Sequence, residues 1–188
     1  KDGQKVVGSK ISIDCDCLGM SGGWTPAVHL FTQSGGKLKF RDDDQVFIPD
    51  TYPSDQISIG SCNGEFTLDE ILTGISKKLK DFLNIKKTDY ENLEIQSHFN
   101  KTKRNIWLLP SDKIIGKTKP FVDYQNDATA KDIKLALREG FRSIEHVKRY
   151  TTTGMGTDQG KLGNMHALGI ISETAGTKMG EHGTTTFR

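Results

Sequence analysis

The stretch HVKRYTTTGMG, residues 146–156, gathers the residue types that hold a phosphate. Lys148 and Arg149 stand at the expected end of a helix, and Thr151, Thr152 and Thr153 follow, with Gly154 and Gly156 beyond. Cationic side chains pair with phosphate oxygens, and a loop of hydroxyls and open N–H groups can cradle them. A plainer reading stands beside this one: the helix dipole alone favours cations at a helix C-terminus. A second stretch, ISIGSCNGEFTLDE (57–70), reads as strand, glycine turn and helix start, with Gly60, Ser61 and Gly64 in the turn. N–H groups at such a start can hold an anion, or the stretch is a simple connection. In SGGW (21–24), Gly22 and Gly23 follow an expected strand. They permit either a close backbone approach to a ligand or an ordinary turn. The G-x-G-x-x-G fingerprint of a dinucleotide site is absent, so a phosphate-gripping loop of that kind is not on this chain.

The other chemistry-bearing residues form no constellation. His29, His98, His146, His166 and His182 are scattered, with no Ser or Cys nucleophile beside them in sequence. No triad or paired-carboxylate arrangement can be argued, and no catalytic residue is assigned. Asp42-Asp43-Asp44 lacks the later ligands of a calcium loop and reads as a solvated turn. The three cysteines, Cys15, Cys17 and Cys62, lack the second ligand pair of a structural zinc site, no His pair sits at ligand spacing, and an odd count argues against a disulfide framework. Within ISIDCDCLG, Ile11, Ile13, Cys15 and Cys17 alternate with polar residues, which predicts small buried residues on one face of a strand. No metal site is expected.

The elements that must position these residues are punctuated unevenly. Strands are expected over 11–18, 46–50 and 56–60. Thr67 and Glu70 form a T-x-x-E capping box before Leu68, Ile71, Leu72, Ile75, Leu79 and Phe82, so a helix with one apolar stripe should pack on those strands. Residues 86–118 read as a lysine-rich connector in which only IWLL (106–109) is suited to burial. The last part reads as helical. Thr129 caps a helix that Gly140 stops, and Ser143 caps SIEHVKRY. A third helix is expected from Asp158 or Gly160 to Gly176. The class is α+β: a partial dinucleotide-binding lobe over 1–85, the connector over 86–118, and a small helical domain over 119–188.

Bulk properties narrow the function classes. The 188 residues carry 26 basic and 24 acidic side chains, a net charge of +2, which gives no general case for nucleic acid. No apolar run reaches the roughly 18 residues of a membrane span, and no signal peptide is recognisable. The first residues, Lys1-Asp2-Gly3, lack a methionine, and Phe187-Arg188 follow a Gly183–Thr186 run. The expectation is a segment of a longer protein.

At FVDYQNDATAKDIKLALREGFRSIEHVKRYTTTGMGTDQGK (121–161) the chain resembles the alpha subunits of heterotetrameric sarcosine oxidases. The resemblance extends over essentially the whole chain. Residues 17–38 and 57–75 resemble the end of the dinucleotide-binding module in that family, and 183–188 resemble the junction to its folate-binding, aminomethyltransferase-like region. The helical part resembles a two-iron, two-sulfur domain of related amine-oxidising subunits, whose ligands come as C-x-C and then G-M-G-x-C-Q-G-R/K-x-C. Here those positions hold Asp123, Gln125, Asp158 and Gly163, none of which offers a thiolate. The resemblance therefore implies a retained scaffold without an iron–sulfur cluster.

It also implies FMN at the boundary with a beta subunit, with Lys148, Arg149, Thr151, Thr152 and Thr153 toward its phosphate and Gln159 and Lys161 as further polar contacts. It implies NAD in the alpha subunit near Gly22, Gly23, Gly60, Ser61 and Gly64, and FAD in the beta partner. Further small subunits, tetrahydrofolate bound through a later region, and a cytoplasmic location follow from the same resemblance. The implied reaction is oxidative demethylation of sarcosine to glycine, yielding hydrogen peroxide and either formaldehyde or methylene-tetrahydrofolate. This segment would hold cofactors and would not be catalytic alone. Two alternatives are a subunit of a proline or opine dehydrogenase and a non-catalytic interaction module.

Overall fold

The computed structural model describes residues 7–9, 11–53, 55–86, 105–111 and 117–184. These fall into two compact units: the described residues of Trp24–Asn105, and those of Lys1–Gly23 with Ile106–Thr185.

In the first unit a short helix, α1 (His29–Gln33), precedes an antiparallel hairpin of β1 (Lys37–Arg41) and β2 (Val46–Thr51). Val46, Phe47 and Ile48 are buried, and Phe40 sits opposite Phe47 with their rings edge to face at 5.0 Å. Such cross-strand aromatic pairs hold register. The chain enters β1 over the ring of buried Phe31, so close that a Cβ at Gly36 would lie 2.4 Å from it. Only glycine fits that approach. At the hairpin turn the Arg41 guanidinium grips the Asp44 carboxylate and also donates to the Gly64 carbonyl at 2.8 Å. The Asp44 hydrogen bonds raise the already high pKa of Arg41 further. The acidic turn is thus partly an internal clamp.

A 3-10 turn (Gly60–Asn63) leads to α2 (Leu68–Leu83). The capping box forms as its sequence predicts: Glu70 N–H donates to Thr67 Oγ1 at 3.3 Å, and the Glu70 carboxylate accepts from the N–H groups of Phe66 and Thr67. Thr67→Ala should cost about 1 kcal/mol. Amide exchange at Glu70 should then quicken about fivefold while exchange in the hairpin stays unchanged. The apolar stripe is only half covered, with Leu68 57% and Phe82 43% exposed, and α2 rests chiefly on the Gly60–Asn63 turn instead of on strands.

Two expected strands are not formed. Residues 56–59 carry none; the Ser58 carbonyl accepts from Lys78 Nζ at 3.0 Å, a side-chain partner in place of a neighbouring strand. Residues 11–18 carry none either, and Ile11, Ile13, Cys15 and Cys17 are exposed. Alternation buries a face only where an adjacent strand supplies a sheet, and none among the described residues pairs with this stretch.

The second unit opens with a very short hairpin, β3 (Phe121–Asp123) and β4 (Ala128–Thr129), where sequence predicted helix alone. Three helices follow: α3 (Ala130–Arg138), α4 (Ile144–Thr151) and α5 (Asn164–Ala175), then a 3-10 turn (Met179–Glu181). Asp132 accepts from the N–H and hydroxyl of Thr129, fixing the start of α3, and Gly140 at φ +98° ends it. Ile133 and Leu137 of α3 and Ile144 and Val147 of α4 are buried as expected. Helix α5 begins later than predicted, leaving Leu162 outside it and 75% exposed. Its middle, Ala167–Ser172, is buried on every side. Trp107 lies against it at Gly169, where an added Cβ would fall 2.2 Å from the indole, and His166 meets the same indole edge on at 5.8 Å. Leu109, also expected inside, is 77% exposed. No helix of the described residues is long and apolar enough to cross a membrane.

Candidate functional site

The α4–α5 loop, residues 152–163, is bound onto the β3–β4 turn by two side chains from that turn. Buried Asp123 is the first. Its carboxylate accepts from the N–H groups of Gln125 (2.9 Å) and Asn126 (3.0 Å) in its own turn, from the Asn126 amide (3.2 Å), and across the gap from Gly154 N–H (2.7 Å). Burial alone would raise its pKa, but the Gly154 N–H and the Asn126 and Gln125 donors together hold it below the ordinary carboxylate value. Gln125 is the second: its Oε1 accepts from the N–H of Thr157 and from the Thr157 hydroxyl at 2.9 Å.

The loop closes around a third polar group, the buried Asn164 side chain. Gly154 and Gly160, both at positive φ, flank it so closely that a Cβ on either would lie 2.1 Å from an Asn164 side-chain atom. Asp158 caps the segment before α5, accepting from Gly160 and Leu162 N–H groups at 3.3 Å each. Gly163 packs against β3, where an added Cβ would fall 2.6 Å from the Val122 carbonyl oxygen. The four positions assigned by resemblance to cluster ligands thus carry two turn-binding side chains, one cap and one close-packed glycine. Asn164 was not singled out in sequence; an Asn between a glycine-rich loop and a helix was the available signal.

The phosphate-type residues divide into two sets. The Thr151 hydroxyl donates to the Val147 carbonyl at 2.8 Å and shares a hydrogen bond with the Thr153 hydroxyl at 2.8 Å; Thr153 is only 1% exposed. These two hydroxyls are engaged with each other and with the Val147 carbonyl, Thr153 buried and Thr151 half-buried. Thr152, at φ +60°, turns its hydroxyl to the Thr151 carbonyl. Much of the expected supply of open N–H groups is also engaged, since those of Gly154, Met155, Thr157, Gln159, Gly160, Lys161 and Leu162 all donate within the site. The second set lies toward solvent. Arg149 is exposed and pairs with Glu145 at 3.3 Å, Lys148 is half-buried, and Gln159 and Lys161 are exposed.

The Gly60 turn holds an anion of its own. The Glu65 carboxylate accepts from Gly60 N–H, Asn63 Nδ2 and Lys78 Nζ, each at 2.9 Å. The N–H group offered by sequence to a phosphate is therefore taken by a neighbouring side chain, because the turn folds that carboxylate back beneath it. Gly64 is crowded by Arg41 and Ile48, and Ser61 is exposed. Gly22 and Gly23 are exposed in the other unit, Gly22 beside the His166 ring. His146 is exposed, and His98 lies outside the described residues. Among the described residues, no three His, Cys, Asp or Glu side chains gather in a metal-holding group.

Comparison with known proteins gives these features a context. Residues 117–188 match the sarcosine oxidase A3 domain. The chain is 35% identical to a sarcosine oxidase subunit alpha of Rhizobium meliloti (strain 1021), over 94% of this chain and 18% of that one. It is 33% identical to the subunit alpha of Corynebacterium sp. (strain P-1), over 98% of this chain and 20% of the relative. The chain thus spans about a fifth of the length of these relatives. Among solved structures, L-proline dehydrogenase from P. horikoshii shares the fold with a TM-score of 0.54 at 21% identity, covering 87% of this chain and 35% of that one.

Proposed function

With a sarcosine oxidase A3 domain at 117–188 and similarity to sarcosine oxidase alpha subunits along nearly its whole length, this chain, we propose, is a cofactor-holding segment of such a subunit. The whole enzyme would oxidatively demethylate sarcosine, with FAD in a beta partner and FMN at the boundary between the two subunits. The observation that carries the reading is the solvent-facing set Lys148, Arg149, Gln159 and Lys161, on the last turn of α4 and the loop that follows. Three cations and an amide, on a helix end and the braced loop after it, suit a flavin phosphate. Thr151 and Thr153 do not fit that role with their hydroxyls turned inward, so they shape the loop. Bound FMN would supply the electron-accepting ring, while the residues of this chain bind and orient its phosphate tail.

NAD belongs to the same reading. In the first unit exposed Ser61 would offer it backbone surface, whereas buried, crowded Gly64 would not. Gly60 N–H, held by Glu65, does not fit a pyrophosphate. Tetrahydrofolate would bind in a later region of the longer subunit, and the assembly would be cytoplasmic with further small subunits.

The test is Lys148→Ala with Arg149→Ala in the assembled oxidase. FMN retention should fall at least about tenfold, the loss of one charge-assisted contact or more, while FAD content stays unchanged. Stoichiometric FMN in the double variant would refute the phosphate role. The fold shared with a proline dehydrogenase favours one second reading, a related amine dehydrogenase, and assays of the assembly with sarcosine and proline separate the two.

A further inference from the structure

We infer that Asp123 and Gln125 are positioning residues whose hydrogen bonds hold the α4–α5 loop, and with it Gln159 and Lys161, in one conformation. Three observations converge on this. The two side chains come from the end of β3 and the turn after it, and they reach 31 and 32 residues along the chain to the same loop, Asp123 to Gly154 and Gln125 to Thr157. Their targets leave no room for slack: a Cβ at Gly156 would lie 2.2 Å from Gln125 Oε1, and one at Gly154 would lie 2.1 Å from Asn164. The loop also contains four residues at left-handed φ, Thr152, Gly154, Gln159 and Gly160, and at the two that are not glycine such a backbone persists only where its surroundings over-determine it.

Asp123 is suited to this task because it is buried with its acceptor sites filled. Removing its charge leaves N–H groups facing an amide, or facing nothing, in a place water reaches poorly. Gln125 is suited differently. Its oxygen receives two donors from one residue, Thr157, near the surface, so it sets the outer edge of the loop more than its stability.

Amide exchange on this chain tests the inference directly. In Asp123→Asn the Gly154 amide should exchange at least about tenfold faster. In Gln125→Ala the Thr157 amide should do so while Gly154 stays protected, and Gln125→Glu, which keeps an acceptor oxygen, should restore Thr157. The N–H groups of Glu139 and Phe141, bonded within and just after α3, report whether the unit remains folded. If Asp123→Asn unfolds the unit, the milder Gln125 pair still decides. Unchanged exchange at Thr157 in Gln125→Ala, or at Gly154 in a folded Asp123→Asn, would overturn the inference.

Its bearing on a cofactor rests on the proposed flavin role and is read separately. Flavin affinity of the assembled oxidase should weaken in Gln125→Ala and recover in Gln125→Glu. Loop exchange that quickens without any change in flavin affinity would leave the positioning role standing and remove the flavin role.

Discussion

Gly160→Ala should destabilise the second unit by about 2–5 kcal/mol. Two costs combine there. The backbone stands at φ +74°, where an L-residue pays about 1–2 kcal/mol. The new Cβ would also fall 2.1 Å from Asn164 Nδ2, in a space already closed on the other side by Gly154. Overpacking a filled site of this kind adds about 1–3 kcal/mol. Gly140 is the control: it has φ +98°, but nothing lies within 4 Å of an added Cβ. Gly140→Ala should therefore show the backbone cost without the steric one. Urea unfolding of the two variants, followed through the α3 amides, measures the difference. Equal losses would mean that Asn164 yields without penalty and that the loop is softer than its packing indicates.

Acid should release the same loop, through Asp123. The folded-state pKa of this carboxylate is lower than its value in the unfolded chain, so the folded state favours the charged form. Its contribution is complete above the unfolded-state pKa. It drains away as pH falls through the ordinary carboxylate range toward the depressed folded value. The donors responsible are fixed main-chain N–H groups with one side-chain amide, so salt should screen the effect little. Asp123→Asn should lower stability at neutral pH and flatten the acid limb of the profile. The measurement is unfolding free energy against pH for both proteins. Parallel curves would show that another carboxylate controls the acid limb.

What could be read from sequence followed the strength of local punctuation. Helix α2 was legible because T-x-x-E and an apolar repeat agree, and α3 because Thr129 and Gly140 bracket Ile133 and Leu137. The β3–β4 hairpin was not, since strands of three and two residues are too short to display a period. The 11–18 stretch misled for the opposite reason: its alternation is clear, but alternation describes a face and says nothing of what covers it. At the loop, residue types alone could not separate a phosphate cradle from a self-capped helix end. The Thr151 and Thr153 hydroxyls bond at the helix end while Arg149 lies exposed, a division that only the third dimension displays. Glu65 was invisible as a turn occupant because nothing in G-S-C-N-G-E tells which way the acid folds.

The setting of Trp107 has a practical consequence for optical work. The chain has two tryptophans, and each compact unit contains one of them. Trp24 is 74% exposed, so it should emit at long wavelength and be reached readily by acrylamide. Trp107 is half-buried against bare backbone at Gly169, with an imidazole at its edge, so it should emit at shorter wavelength and resist the quencher. Two emission bands of different quencher sensitivity would give each unit its own fluorescent reporter. The melting of one could then be timed against the other in a single cuvette, without a label.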